Sequence, residues 1–189
     1  MTNAPAKATS VTATGEPDGF AIQPGWEPQA DPGGQNRLLV SVPTHRLAQV
    51  HAALFACLGA PLGVLYRQAV NRLLPAPQGA PPTDFVGLNL AKERVSQAIS
   101  QASDLVFHDA RCELWLRGAL GDQLILDQDG LLYVYPDDPA FRRALDDQRL
   151  PQAHVETMLD RDYVKHWFHQ DNDALEAQFI DALSLTRLG

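Results

Sequence analysis

Residues 111–136 read RCELWLRGALGDQLILDQDGLLYVYP and contain three short runs of apolar and aromatic side chains. Two glycine-containing segments separate the runs, which predicts three short β-strands joined by tight turns. In the second turn, Asp129-Gly130 is typical of a two-residue type I′ turn, because that turn needs positive φ at both central residues. The stretch therefore predicts a three-stranded antiparallel meander over about residues 111–135.

The length of each turn determines which side chains face one another. A two-residue second turn pairs Leu126 with Tyr133. An even-numbered first loop places Trp115 opposite Leu124, whereas a three-residue loop would move every side chain of the first strand to the other face. With the even loop, one face is aliphatic and carries Leu114, Leu116, Ile125, Leu132 and Val134. The other face carries Trp115, Leu124, Leu126, Tyr133 and Tyr135, with Glu113 and Arg117 at its margin.

Length and composition indicate a globular protein with one main domain. The chain has 189 residues, of which 45% are hydrophobic and 20% charged, as in ordinary globular domains. Its net charge of −8 argues against sequence-independent binding to DNA or RNA, which requires clustered lysine and arginine. The acidic balance fits a soluble protein or one with a basic partner. Cys57 and Cys112 are isolated in sequence, so we expect buried thiols and no disulfide framework.

The sequence also carries expectations about location and domain boundaries. The first twenty residues lack a continuous apolar segment of the secretory kind, and no run of about 18 apolar residues predicts a membrane span. We therefore expect a cytoplasmic protein. Residues 1–36 are rich in Ala, Thr, Pro and Gly and predict a flexible N-terminal arm, which could dock on the body or on a partner through Phe20, Ile22 and Trp26. Alternation begins at Arg37, so residues 37–189 are expected to form a single α+β domain.

Segments on both sides of the meander carry helical patterns. The expected fold class is therefore α+β, with a mostly antiparallel sheet centred on residues 111–135 and amphipathic helices packed on its aliphatic face. Apolar spacing predicts helices over residues 44–58 and 89–102. Asp138-Pro139 predicts the start of another helix. Asp173 predicts the cap of a final helix, with Glu176 completing a capping box.

In other segments the spacing of apolar residues does not clearly distinguish a helix from a strand. Residues 62–73 fit either a helix or a strand, and we favour a helix. Residues 162–169 alternate and favour a strand, whereas residues 152–160 favour a short helix. The segment 75–84, PAPQGAPPTD, predicts a proline-rich surface loop.

No catalytic or cofactor signature stands out, so we expect no cofactor. His166, His169 and Asp171 are metal-type ligands, but a zinc site needs further ligands that the sequence does not indicate. The Asp127–Gly130 segment lacks the glycine and glutamate positions of a calcium loop. His108, Asp109 and Cys112 lie close together without the signatures that surround a catalytic cysteine.

Two classes of function follow from these patterns. The first is a non-catalytic protein-binding module, such as an adaptor, an inhibitor or an immunity-type protein. It would bind through an acidic surface and the aromatic sheet face, because tryptophan and tyrosine dominate the energetics of protein interfaces. The alternative is a small metal-dependent or His/Asp-based hydrolase, for which the candidate residues are His108, His154, His166 and His169 with nearby aspartates. The sequence identifies neither the partner nor the oligomeric state.

Overall fold

The structure is a computed structural model that describes residues 5–71, 73, 81–167 and 169–189. Within these residues there are five helices and ten strands. The helices are α1 (Thr44–Cys57), α2 (Lys92–Gln101), α3 (Ser103–His108), α4 (Pro139–Asp147) and α5 (Asn172–Ala182). The strands are β1 (Ala8–Ser10), β2 (Gly25–Ala30), β3 (Asn36–Ser41), β4 (Leu62–Gln68), β5 (Thr83–Leu90), β6 (Cys112–Arg117), β7 (Gln123–Leu126), β8 (Leu132–Tyr135), β9 (Tyr163–Lys165) and β10 (Thr186–Arg187).

Eight of these strands form one antiparallel sheet in the order β10-β5-β4-β6-β7-β8-β3-β2, and β1 and β9 form a second, two-stranded sheet. One face of the large sheet is buried together with apolar residues of all five helices in a single core. The meander β6-β7-β8 occupies the centre of the sheet. The predicted α+β class, with a mostly antiparallel sheet and helices on its aliphatic face, is therefore confirmed.

Each turn of the meander has three residues inside its closing backbone hydrogen bond, from the Gly118 N–H to the Asp122 carbonyl at 2.8 Å and from the Asp127 N–H to the Leu131 carbonyl at 3.1 Å. The predicted registers are therefore wrong by one residue each. Trp115 faces Ile125 rather than Leu124, and Leu126 faces Leu132 rather than Tyr133. In the second turn only Gly130 has positive φ, whereas a type I′ turn needs two such residues.

The carboxylate of Asp127 explains the longer second turn. Its Oδ1 accepts hydrogen bonds from the backbone N–H groups of Asp129 and Leu131, both at 2.8 Å. The side chain therefore satisfies backbone donors within the turn, as aspartate does in Asx-turns, and a three-residue loop closes on Asp127.

The two register shifts compensate at the outer strands of the meander. Leu114, Leu116, Leu132 and Val134 are buried in the core beneath the helices, as predicted, and Trp115, Tyr133 and Tyr135 lie on the opposite face. Only β7 has its two faces exchanged relative to the prediction. A single one-residue shift separates β7 from β6 and another separates it from β8, whereas the two shifts cancel between β6 and β8. The core residues of β7 are therefore Leu124 and Leu126, and Ile125 lies on the aromatic face.

The favoured helix over residues 62–73 is wrong, because Leu62–Gln68 form β4. Burial alternates strictly along this strand, and β5 and β6 pair with its two edges. β5 includes Thr83 and Asp84, which the sequence assigned to the proline-rich loop over residues 75–84. Residues 75–80 of that loop lie outside the described residues.

The helix predicted over residues 44–58 is confirmed as α1. The helix predicted over residues 89–102 forms as α2 but begins only at Lys92, because Asn89 and Leu90 belong to β5. Asp138 caps α4 by accepting a hydrogen bond from the Ala140 N–H at 2.7 Å. The other segments differ in detail. Residues 152–160 contain only the 3-10 turn Met158–Asp160, and the strand predicted over 162–169 is limited to β9, with residue 168 outside the described residues. The predicted capping box is wrong: Glu176 instead accepts a hydrogen bond from the Tyr66 hydroxyl at 2.6 Å.

Residues of the predicted N-terminal arm contribute β1 and β2 to the structure. β2 pairs with β3 along its whole length and forms one edge of the large sheet. Trp26 is buried in the helix-side core, and its Nε1 donates to the Leu150 carbonyl at 3.2 Å. Lys7 is also buried, with Nζ 3.0 Å from the Cys112 carbonyl oxygen. The domain boundary at Arg37 and the flexibility of residues 1–36 stay predictions.

The three predicted arm anchors are not equivalent in the structure. Trp26 lies in the core, whereas Phe20 is half-buried beneath the Arg161 guanidinium, 3.9 Å from its ring centre, and Ile22 is half-buried.

We expect Trp26→Phe to lower the free energy of unfolding by about 1–2 kcal/mol, because the Leu150 carbonyl then loses its buried donor. Urea unfolding of the full chain measures this change. Phe20→Leu is the matched control, since it alters a half-buried ring of the same segment and should cost less. Equal losses in the two variants would contradict the separate role of Trp26.

Candidate protein-binding face

The face of the large sheet opposite the helices, which we call the outer face, is built by alternate residues of six neighbouring strands. Register places Val86, Leu65, Trp115, Ile125, Tyr133 and Leu39 directly beside one another in a single row from β5 to β3. All six members of this row are apolar or aromatic. The outer face therefore carries a continuous apolar row. Charged residues lie on both sides of this row.

Charged side chains lie in the neighbouring rows. On one side, Asp84, Arg67 and Glu113 are cross-strand neighbours, and Arg67 binds Asp84 through two hydrogen bonds of 2.9 and 3.0 Å. This pairing lowers the pKa of the Asp84 carboxyl, chiefly through the hydrogen bonds from Arg67. On the other side, Arg117 is exposed and pairs with Gln123.

Arginine side chains also cover the aromatic rings of the row. The Arg67 guanidinium carbon lies 5.7 Å from the centre of the Trp115 ring, and that of Arg37 lies 4.6 Å from the Tyr133 ring. Such cation–π contacts orient both partners. Trp115 is further fixed by the hydrogen bond from its Nε1 to Glu113 Oε2 at 3.0 Å. The indole is therefore held in one orientation while part of its surface stays accessible.

One half of the outer face is covered and the other half is open. Over β8 and β3, Leu39 and Tyr133 pack with Val155 in a small second core, so the segment around Val155 covers this half. Over β5, β4 and β6, the side chains of Val86, Leu65 and Trp115 are only half-buried.

Leu88 extends the open half towards the end of β5. Its side chain is 71% exposed, and a Cβ built at Gly63 on the outer face would lie 3.6 Å from it. We call Leu65, Val86, Leu88 and Trp115 the open patch.

The predicted binding residues Trp115, Tyr133, Tyr135, Glu113 and Arg117 lie on this one face, although Tyr133 belongs to its covered half. Sequence reasoning missed Leu65 and Arg67, which flank Trp115. Their signal was the strand alternation of residues 62–68, which the favoured helix concealed.

A buried ionic cluster around Arg111 was also missed. The Arg111 side chain is 0% exposed; it contacts Asp109 at 2.8 Å, Asp173 at 2.6 Å and Glu176 at 3.6 Å. Burial opposes the charge on Arg111, but the hydrogen bonds to Asp109 and Asp173 raise its pKa. Burial likewise raises the pKa of Tyr66, which donates to Glu176. Because these groups are enclosed, the cluster ties α5 to the sheet and presents no surface to a ligand.

Three of the four histidines proposed for a hydrolase have hydrogen-bond partners in different parts of the structure, and the Nε2 of the fourth, His169, is buried without a partner among the described residues. His166 Nε2 lies 2.8 Å from Thr9 Oγ1, His154 Nδ1 lies 3.1 Å from Glu27 Oε2, and His108 Nδ1 lies 3.0 Å from the carbonyl oxygen of Pro5. In the part of the chain that the structure describes, no three His, Cys, Asp or Glu residues are grouped so that they could hold a metal ion. His166, His169 and Asp171 therefore do not form a metal site there.

The residues of the cysteine and calcium-loop patterns have structural roles in the fold. Cys112 is buried in β6, and burial raises the pKa of its thiol, which disfavours the thiolate that a nucleophile needs. Asp127 uses its carboxylate within the turn, where burial raises its pKa to about 6. Both cysteines are free thiols.

Two further findings bear on the whole chain. Among the residues described, none of the helices is both long and apolar enough to cross a bilayer. Comparisons with protein-family models, with curated proteins and with solved structures found no significant match.

Proposed function

We propose that the protein is a non-catalytic binding module that captures another protein on the open patch of its outer face. The observation that carries the proposal is the partial exposure of Trp115 and Leu65 in an apolar row, beside the 71% exposed Leu88. A folded sheet normally covers such residues when no partner takes their place. An adaptor, an inhibitor or an immunity-type protein would use a surface of this kind.

The surroundings of the patch indicate the chemistry of the partner. An interface typically has an apolar centre and a polar rim. Here Trp115 and Leu65 supply the centre, and the Arg67–Asp84 pair and Arg117 supply the rim. The net charge of −8 favours a partner with a basic surface through long-range attraction. We place the encounter in the cytoplasm, where free thiols such as Cys57 and Cys112 are usual.

The hydrolase alternative gains no support from the described residues, because His108, His154 and His166 have separate hydrogen-bond partners and no three metal-type ligands are grouped there. The binding module therefore stays the function that the geometry supports best.

Trp115→Ala should weaken binding of the partner by about thirtyfold, which corresponds to about 2 kcal/mol for an aromatic interface anchor. The partner is first captured on immobilised full-length protein and identified by mass spectrometry, and its affinity is then measured for purified variants. Leu159→Ala is the matched control, since Leu159 is 64% exposed outside the outer face. The proposal fails if every protein retained by the wild type is retained equally by Trp115→Ala.

A further inference from the structure

The two halves of the outer face differ in height. Over β8 and β3 the segment around Val155 packs on Leu39 and Tyr133, so the covered half stands one layer of chain above the sheet. Over β6, β4 and β5 the outer-face side chains are half-buried or exposed. β10 extends this open half by one strand, with the exposed Thr186 beside Val86. The outer face therefore has a step, and the open half is its lower part.

The step restricts how two copies of the chain can pack face to face. Two identical facing sheets are related by a two-fold axis that lies between them, and such sheets keep their strands within about 30° of alignment. An axis perpendicular to the strands brings the two covered halves against each other and holds the open halves apart. An axis parallel to the strands, above the boundary of β4 and β5, brings the open halves together. Each covered half then lies beyond the β10 edge of the other copy.

Rotation about an axis parallel to the strands keeps every residue at its own position along the strands, so β4 of one copy faces β5 of the second copy row by row. Leu65 and Val86 are cross-strand neighbours, and each faces the other residue of the second copy. Arg67 and Asp84 are also cross-strand neighbours, so the guanidinium of each copy faces the carboxylate of the second copy. Both contacts occur twice, as a two-fold interface requires, and the four charges alternate in sign.

Leu88 lies where the axis passes over the sheet. Its side chain is 71% exposed and reaches over Gly63 of β4, since a Cβ built at Gly63 would lie 3.6 Å from Leu88 Cδ2. The side chain therefore lies above the boundary of β4 and β5, and Leu88 of a second copy would lie against it. This contact buries the most exposed side chain of the open patch beside the paired Leu65 and Val86.

We propose that a second copy of this chain packs on the open patch in this face-to-face, two-fold dimer. The dimer uses the same surface as the proposed capture of another protein, so the two occupants exclude each other. Asp84 and Glu113 balance Arg67 and Arg117 around the patch, so the net charge of −8 lies on other parts of the chain. At physiological ionic strength, exposed charges more than about 8 Å apart are largely screened. The contacts at the patch therefore decide whether two copies associate.

The size of the open half predicts a weak dimer. It is four strands wide, at about 4.8 Å a strand, and about six residues deep, at about 3.3 Å a residue, so it measures roughly 20 Å in each direction. Burial of this area on both copies falls at the low end of specific interfaces. We therefore expect reversible association with a dissociation constant between about 10 µM and 1 mM.

Charge reversal tests the proposal by sedimentation equilibrium of the full chain at about 0.15 M salt. Arg67→Asp and Asp84→Arg should each weaken the dimer at least about tenfold, because four like charges then meet at the axis. An equimolar mixture of the two variants should regain the affinity of wild type, since the negative pair of one chain faces the positive pair of the other. Arg143→Asp is the control, because it makes the same change of charge at an exposed position of α4. Stronger association of Asp84→Arg, as expected if only net charge mattered, would overturn the proposal.

A second substitution tests the axis without altering the ion pair. Leu88→Asp should abolish the dimer, whereas Leu159→Asp, at a 64% exposed position outside the outer face, should leave it unchanged. A wild type that stays monomeric at about 1 mM, or equal dissociation constants for Leu88→Asp and wild type, would overturn the dimer. Neither result bears on the capture of another protein, which the Trp115→Ala comparison tests. Conversely, unchanged partner retention in Trp115→Ala ends the proposed function and leaves the dimer intact.

Discussion

Replacing Arg111 by methionine should lower the free energy of unfolding by about 3–5 kcal/mol, the typical cost of removing one partner from a buried ionic group. Asp109 is 0% exposed and Glu176 8% exposed at the side chain, so neither carboxylate can regain water when the guanidinium is lost. Asn172 also donates to Asp109 Oδ2 at 3.1 Å, but a neutral amide cannot replace the positive charge. Urea unfolding should show a lower midpoint with an unchanged slope.

A surface ion pair provides the control for this loss. Arg142 contacts Asp137 at 2.6 Å, but 42% of its side chain is exposed, so water screens the pair and solvates Asp137 once Arg142 is replaced. Arg142→Met should therefore cost much less than Arg111→Met. Arg111→Lys should fall between them, since an ammonium keeps the charge but not the forked geometry that reaches Asp109 and Asp173 together. A stability of Arg111→Met within about 1 kcal/mol of wild type would contradict the role assigned to the cluster.

The fold class could be predicted because periodicity is a local property of the chain. Residues 44–58 repeat apolar side chains at helical spacing, and residues 111–135 contain short apolar runs separated by glycine-containing turns, so each segment indicates its own structure. Register could not be predicted in the same way. It depends on whether a turn contains two residues or three, and the carboxylate of Asp127 determines this by accepting two backbone N–H groups. Those hydrogen bonds exist only in the folded turn, so the sequence does not reveal them. A turn that is one residue longer exchanges the two faces of β7.

The wrong prediction of a helix over residues 62–73, where β4 lies, arises from contacts with distant parts of the chain. Residues 62–73 fit two periods, and the choice between them depends on neighbours that are distant in sequence. β6 lies on one side of β4 and β5 on the other, and together they satisfy the backbone groups of both its edges. Because helix propensity is a weak preference, pairing of this kind overrides it.

The candidate sites were only partly accessible to sequence reasoning for the same reason. Trp115 and Tyr135 could be placed on one face from alternation alone. The Arg111 cluster could not, because it joins residues around 109 to residues around 173, and charged residues are normally assigned to the surface. The burial of His51 likewise requires α1 and α3 to be packed together, because its imidazole lies against the Phe107 ring.

His51 also predicts how acid affects stability. Burial, with a smaller contribution from the charge of Lys7, lowers the pKa of its imidazole to about 4 in the folded protein, whereas the unfolded chain titrates near the ordinary value of about 6.5. Between these values the unfolded state binds a proton that the folded state does not. The neutral imidazole of His51 therefore favours folding above about pH 6.5. As the pH falls towards 4 this contribution is lost, and the free energy of unfolding decreases by about 3 kcal/mol in total.

The Asp127 carboxyl has the opposite effect on the pH dependence of stability over part of the same pH range. Its pKa is raised to about 6 in the folded state, chiefly by burial, so its contribution is present below the unfolded value of about 4 and is lost as the pH rises through 6. The two residues therefore offset each other, and the wild-type profile alone cannot isolate either one.

The comparison of His51→Leu with wild type separates the two effects. The variant keeps Asp127 but lacks the imidazole, so its stability relative to wild type should improve by about 3 kcal/mol between about pH 7 and pH 4. Urea unfolding at several pH values measures this difference directly. His154→Leu is the matched control, because the His154 side chain is 83% exposed and its loss should leave the difference from wild type nearly constant. If the His51→Leu and wild-type profiles run parallel, the folded protein admits a proton to His51, and the imidazole is not enclosed as the structure shows.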